Sequence, residues 1–216
     1  MKRDDQLDLL APPPTLTREE GLRRLDALVG RDLRTVAAEY DVTVFREGRK
    51  NKGWAGHAVE HYLGRGPNSD KAADFGDWEL KVVSIVPDAA GHPRPKESMS
   101  IAMFTAHELE TEAFGESHLY DKLARLVVVG RTFEGFEEAR SIVLGATRFD
   151  LSDPAIYAQV EEDYEEARWV ARSSGTYALS GHIGRLVQPR PKNEGLGFYA
   201  RPQFVAFMLG LAAEPL

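Results

Sequence analysis

Leu22, Leu25, Leu28 and Val29 recur at helical spacing behind Thr17, which with Glu20 three residues on makes a capping-box signature, and Gly30 is a natural stop. Leu33, Val36, Ala37 and Tyr40 predict a second helix, and Gly53 to Leu63 a third, ended by Gly64 and Gly66. The run from Trp78 to Val86 reads as a strand, and Ser98 to Phe104 as a second that pairs with it in a hairpin across the turn-rich segment between. Residues 105–116 are charged and helix-friendly, and His118 to Ala124 is a short helix. Leu126 to Val129 and Ser141 to Leu144 are apolar enough for central strands. From Pro154 to about Arg172, Ile156, Val160, Tyr164, Ala167 and Val170 supply one buried helical face. Tyr177 to Leu179 and Leu186 to Gln188 read as short strands, and Pro202 to Ala213 as the last helix. Strands interleaved with helices make this an α/β chain. Residues 1–14, with Pro12, Pro13 and Pro14, are expected to be a flexible entry.

A chain of 216 residues is most simply one domain, with two lobes around a cleft. With no cysteine it has no disulfide framework and no thiolate metal site. The amino terminus lacks an apolar core of signal-peptide length, and FVAFMLGLAA is about half of a membrane span. The expectation is a cytoplasmic protein without a membrane partner. A net charge of −7 argues against a general nucleic-acid coat. Its distribution is uneven, however. Arg46, Arg49, Lys50, Lys52 and Arg65 form one basic cluster, and Arg168, Arg172, Arg185, Arg190, Lys192 and Arg201 a second, while acid gathers elsewhere. Two basic clusters on an acidic body suit a site-directed enzyme.

The candidate chemistry lies in KGWAGHAVEHYLGRGPNSDKAADFGDWELK, residues 52–81. Glu60 sits in the predicted helix, Asp74 follows a loop that begins at Gly66-Pro67-Asn68 and is expected to reach across to it, and Glu79 and Lys81 flank Leu80. Alternate strand residues share a face, so Glu79 and Lys81 point one way and Leu80 turns into the core. Charges inside so apolar a strand are costly unless paired or metal-bound. Carboxylates suit a hard cation such as Mg²⁺, and a lysine beside them can orient or deprotonate a water, as in phosphodiester hydrolysis.

KGWAGHAVEHYLG followed by DFGDWELKVVSIV resembles the MutH family, the mismatch-repair nicking endonucleases and the related restriction enzymes that cut at GATC. The amino-terminal helical segment, ESHLYDKLARLVVVG and QPRPKNEGLGFYARPQF extend the resemblance over nearly the whole chain. It implies a restriction-endonuclease-like fold, a central mixed sheet flanked by helices. It also implies a metal site of Glu60, Asp74 and Glu79 with Lys81, binding Mg²⁺ with Mn²⁺ as a substitute. Lys52 lies beside that site, and Arg190, Lys192 and Tyr199 reach duplex DNA, with Lys122 a further phosphate contact from the mid-chain helix. The implied organisation is one endonuclease domain over 1–216: a helical scaffold at 15–41, a catalytic core at 42–104 and a DNA-contacting region at 168–201. The resemblance implies a monomer, with a MutL-like activator as partner. Two departures stand out: the gap from Asp74 to Glu79 is shorter than in the best-known members, and only NEGLG separates Lys192 from Phe198.

Three other readings compete. A stand-alone type II restriction endonuclease would share the site and cut both strands. A catalytically silent DNA-binding module would share the fold. His57, Glu60 and His61 match the His-x-x-Glu-His arrangement of zinc peptidases, although nothing else in the chain resembles them.

Overall fold

A computed structural model describes residues 16–66, 73–192 and 195–216. α1 (Arg18–Asp26) begins where the Thr17 hydroxyl accepts from the Glu20 N–H at 3.3 Å. Glu20 does not close the box; its carboxylate turns to Arg23 and Arg24. α2 (Leu33–Glu39) is capped by Asp32, and the basic segment after it folds into a tight hairpin of β1 (Phe45–Arg46) and β2 (Arg49–Lys50). α3 (Trp54–Tyr62) follows, then β3 (Glu79–Pro87), β4 (Pro93–Pro95) and β5 (Met99–Phe104). The reciprocal capping box that Glu20 declines is made by Thr105 and Glu108 ahead of α4 (Ala106–Thr111). α5 (His118–Ala124), β6 (Arg125–Thr132), β7 (Val143–Asp150), α6 (Pro154–Ser174), β8 (Val187–Lys192), β9 (Gly195–Ala200) and α7 (Pro202–Met208) complete the order.

Two sheets carry the architecture. The larger has the order β4-β3-β6-β7, with β3 and β6 parallel and the outer strands antiparallel; the smaller is β5-β9-β8, all antiparallel. Alternation along β3 and β6 divides their side chains between two apolar clusters. Val83, Ile85, Leu126 and Val128 face the smaller sheet, α6 and α7, whereas Leu80, Val127 and Val129 face α1, α2 and α3. β6 is therefore covered on both sides, which is why LVVV runs unbroken. The α/β expectation of a mixed sheet flanked by helices holds. Among the described residues, no helix is long and apolar enough to cross a membrane.

The structure differs from expectation in four places. Residues 99–104 do not form a hairpin with β3; they pair with β9, where Met99, Ala102 and Phe104 are buried, and the short β4 takes only the end of β3 from Ile85 to Pro87. Residues 176–178 are a 3₁₀ turn instead of a strand, because Gly175 turns the chain at φ +81° and leaves Tyr177 in solvent with no face to bury. The segment 195–200 is a strand that periodicity did not mark, and α7 stops at Met208 ahead of Gly210 at φ +70°. The expected entry at 1–14 and most of the loop from Gly66 lie outside the described residues.

One carboxylate fixes the start of β8, and with it the basic strand end. Asp163, buried on α6, accepts the backbone N–H groups of Arg185 at 2.8 Å, Leu186 at 2.7 Å and Val187 at 2.8 Å. Removing it leaves buried donors unsatisfied, at about 1–3 kcal/mol each. Asp163→Ala is expected to lower unfolding stability by at least about 3 kcal/mol, read from the urea midpoint; a loss within error contradicts this anchoring.

Candidate active-site groove

The turn before β3 is built by aromatic packing. Phe75 stacks on Trp78 with centroids 4.2 Å apart, the Phe75 N–H donates to the Trp78 carbonyl at 3.0 Å, and Gly76 adopts φ +83° between them. Trp78 is fully buried, and its indole donates to the Leu16 carbonyl at 2.8 Å. α1 passes so close that a Cβ on Gly21 would meet the Trp78 ring at 2.8 Å. This clamp brings Asp74 back onto the strand. Its carboxylate accepts from the Leu80 N–H at 3.2 Å, while its own N–H donates to Glu79 Oε2 at 3.1 Å. The short gap from Asp74 to Glu79 is thus closed by a reciprocal pair of hydrogen bonds.

Glu79 is 0 % exposed. Its Oε1 takes both lysines, Lys81 from the same strand face and Lys122 from α5 at 2.9 Å. Leu80 turns the other way into the α1–α3 cluster, as alternation requires. Because β4 pairs only with 85–87, the edge of β3 from Glu79 to Ser84 carries no strand among the described residues. It floors an open groove of about 600 Å³, walled by α3 on one side and by Ser98, Met99, Arg190 and Tyr199 on the other. Glu60 enters this groove from α3. A separate apolar hollow of about 300 Å³, lined by Ile85, Leu144 and Leu209 among others, shares none of these charged groups.

The three carboxylates do not feel the same field. Burial pushes Glu79 up, but Lys81 and Lys122 outweigh it and hold the group below the usual carboxylate range. Glu60 is raised, chiefly by burial and then by Asp74. Asp74 is raised, chiefly by burial and then by Glu79. Neither Glu60 nor Asp74 has an ion-pair partner among the described residues. Two half-buried, mutually repelling carboxylates are a donor set that fits a hard divalent cation. No three Asp, Glu or His side chains among the described residues are gathered closely enough to be a metal cluster as they stand. Glu79's contacts are its two lysines and the Asp74 N–H.

Other expected site residues divide. Lys52 is exposed at the mouth beside the start of α3. Arg190 and Lys192 project from β8 over the Tyr199 ring, at 5.0 and 5.2 Å from its centroid, and Arg190 also donates to the Ser98 hydroxyl at 3.0 Å. Lys122, expected as a phosphate contact, is 9 % exposed and donates to Glu79. The second basic cluster is smaller than it reads in sequence. Arg168 and Arg172 donate to the carbonyls of Thr111 and Glu110, and Arg201 to those of Gly181, Ile183 and Gly184, so these cations tie loops together. Of the histidines, His57 faces the groove while His61 stacks against Tyr40 with centroids 6.2 Å apart, so the peptidase arrangement is not assembled.

Sequence reasoning passed over a second buried charge network. Glu138, fully buried and at φ +41°, accepts from the Trp54 indole at 2.8 Å, Arg131 at 2.8 Å and Lys50 at 2.8 Å. The signal that singled out Glu79, a charge inside an apolar strand, was also present in LVVVGR.

The family model described as "MutH: DNA mismatch repair enzyme MutH" matches residues 63–145, which contain Asp74, Glu79, Lys81 and Lys122. The chain is 28% identical over 188 residues to the DNA mismatch repair protein MutH of Serratia proteamaculans, covering 84% of this chain and 78% of that one. It is 27% identical over 221 residues to the protein of the same name from Vibrio cholerae, covering 93% and 98%. The chain is similar to MutH proteins over most of its length. A MutH protein of Shewanella sp. (strain W3-18-1) is 26% identical over 227 residues, covering 94% of this chain and 98% of its own. The solved restriction endonuclease MvaI–cognate DNA substrate complex covers 82% of this chain and 95% of that one at TM-score 0.37 and 11% identity, a likeness too slight to argue from.

The opposite shifts predict opposite stability effects. Glu79, held low, contributes stability that is present at neutral pH and lost as pH falls through its lowered value. Glu60 and Asp74, held high, withdraw stability as pH rises through theirs. At neutral pH without added metal, Glu79→Ala is expected to cost about 3–5 kcal/mol by stranding two lysines, whereas Asp74→Asn raises the thermal midpoint. A lowered midpoint in Asp74→Asn contradicts the assignment.

Proposed function

We propose that this chain is a MutH-type endonuclease that hydrolyses phosphodiester bonds in duplex DNA, nicking one strand in mismatch repair. The observation that carries the reading is the buried Glu79, held by Lys81 and Lys122 at an open sheet edge beside Asp74 and Glu60. A groove floored by a strand edge that carries no strand among the described residues, and rimmed by Lys52 and Arg190, with Lys192 over the Tyr199 ring, is suited to a phosphate backbone.

Asp74, Glu79 and Glu60 would hold a divalent cation, Mg²⁺ with Mn²⁺ as substitute; when bound it supplies charge neutralisation at the scissile phosphate and an acidified water. The chain's own groups do the rest. Lys81 sits on the groove side of Glu79, where its ammonium orients the attacking water and opposes charge growing on the phosphate. Lys122 keeps Glu79 ionised and pointed. Water attacks phosphorus in line as the bond to the 3′ oxygen breaks, leaving a 5′-phosphate and a 3′-hydroxyl. On the facing wall, Arg190, Lys192 and Tyr199 form one cation–π assembly that presents two positive charges to the duplex.

The reading places a single endonuclease domain over 1–216, acting in the cytoplasm as a monomer under a MutL-like activator. Its catalytic core lies within 42–104, and its DNA-contacting region within 168–201.

A supercoiled-plasmid assay with Mg²⁺ tests this. Wild type is expected to give open circles, with Lys81→Ala and Asp74→Ala at least about 100-fold slower. These variants are preferable to Glu79→Ala, whose stranded lysines threaten the fold. Linear product from wild type would instead favour a restriction enzyme. Undiminished cleavage by both variants would remove the site assignment.

A further inference from the structure

Arg131 stands where the register of β6 against β7 shifts, Gly130 pairing with Gly145 and Arg131 with Val143, so that Leu144 of β7 is passed over. Arg131 lines the same groove as the carboxylates, although it is only 8 % exposed. Its Nη1 donates to Glu138 at 2.8 Å and to the Ser141 hydroxyl at 2.9 Å, and its guanidinium lies 5.2 Å from the Trp54 ring centroid. The other edge of the fork is unused. Nε is buried without a hydrogen-bond partner, and Nη2 has none among the described residues. The Nε–Nη2 edge is a pair of parallel donors whose spacing matches two oxygens of one phosphate.

The charge balance points the same way. Glu138 is already neutralised by Lys50 at 2.8 Å, so Arg131 leaves a surplus positive charge in the groove wall. A neutraliser for Glu138 alone needs no second cation. Trp54, beneath the guanidinium, is the first residue of α3, whose amino end has no side-chain cap and opens on the same groove at Ala55 and Gly56. A Cβ at Gly56 would meet nothing closer than Glu60 Oε1 at 3.9 Å, so an incoming group has room there. The uncapped N–H groups and the free edge of Arg131 both favour an anion.

We propose that Arg131 is a DNA-backbone contact of this enzyme, its Nε–Nη2 edge holding a phosphate that neighbours the scissile one along the β3 edge. In the β3–β6 register Arg131 faces Ser84, three residues beyond Lys81, or about 10 Å along the strand. The inference rests on the endonuclease reading and adds a binding residue to it.

The test is equilibrium binding of a short duplex to the full chain without divalent metal, between about 50 and 200 mM salt. Wild type is expected to bind with a steep salt dependence. Arg131→Met should bind about ten-fold more weakly at the low end, and its slope of log K against log salt should be smaller by about 0.9, the value of one phosphate contact. Arg131→Lys, which keeps the charge and loses the fork, should retain the slope. Should Arg131→Met fail to fold, Arg131→Gln combined with Glu138→Gln removes both charges of the pair and carries the same readout. An unchanged slope in a folded variant overturns the proposal and leaves the endonuclease reading standing. Absence of duplex binding by wild type overturns both.

Discussion

A fully buried carboxylate sharing one oxygen between two lysines is the constraint around which the groove is arranged. Glu79 is affordable inside an apolar strand only because Lys81 and Lys122 come to it. That requirement links distant parts of the chain: Lys122 arrives from α5, immediately before β6, and β6 lies parallel to β3 along its whole paired length. The parallel pair therefore sets where the charge cluster sits. The Phe75–Trp78 stack, locked beneath α1, then returns Asp74 to the second oxygen through its N–H. Remove the lysines and a negative charge is left in a hydrocarbon core.

The same arrangement leaves its neighbours dissatisfied. Glu79 is compensated, whereas Asp74 and Glu60 are partly buried beside negative charge and without an ion pair among the described residues. Such local cost persists in a fold when it serves a site, and functional sites are where perturbed carboxylates gather. The open edge of β3 belongs to the same logic. Exposed strand edges invite unwanted pairing, and among the described residues charged side chains, not a covering strand, guard it.

Much of this was legible in the chain. Helical periodicity marked α1, α2, α3 and α6 to within a few residues, and the alternation of Glu79, Leu80 and Lys81 foretold which would share a face. The failures have physical causes. Whether 99–104 pairs with β3 or with β9 depends on which long-range partner buries Met99 and Phe104, and local pattern carries no record of that. Residues 195–200 contain two glycines and little β-branching, so the strand they form is imposed by its two neighbours. Lys122 looked like any helical lysine because its partner lies 43 positions away. Arg168, Arg172 and Arg201 looked like a DNA-binding patch because sequence cannot distinguish a guanidinium facing phosphate from one capping carbonyls.

The central claim is that Asp74 and Glu60, which have no ion-pair partner among the described residues, are completed by a divalent cation held together with Glu79. Thermal unfolding with graded Mg²⁺ or Mn²⁺, alongside calorimetric titration, tests it most directly. The account predicts binding of one cation class to wild type, with a midpoint that climbs as the metal rises, a gain of about 2.7 kcal/mol at a hundred times Kd. That climb should vanish in Asp74→Asn. A wild type whose midpoint is indifferent to metal even with duplex DNA present, or an Asp74→Asn variant that responds as wild type does, would contradict it.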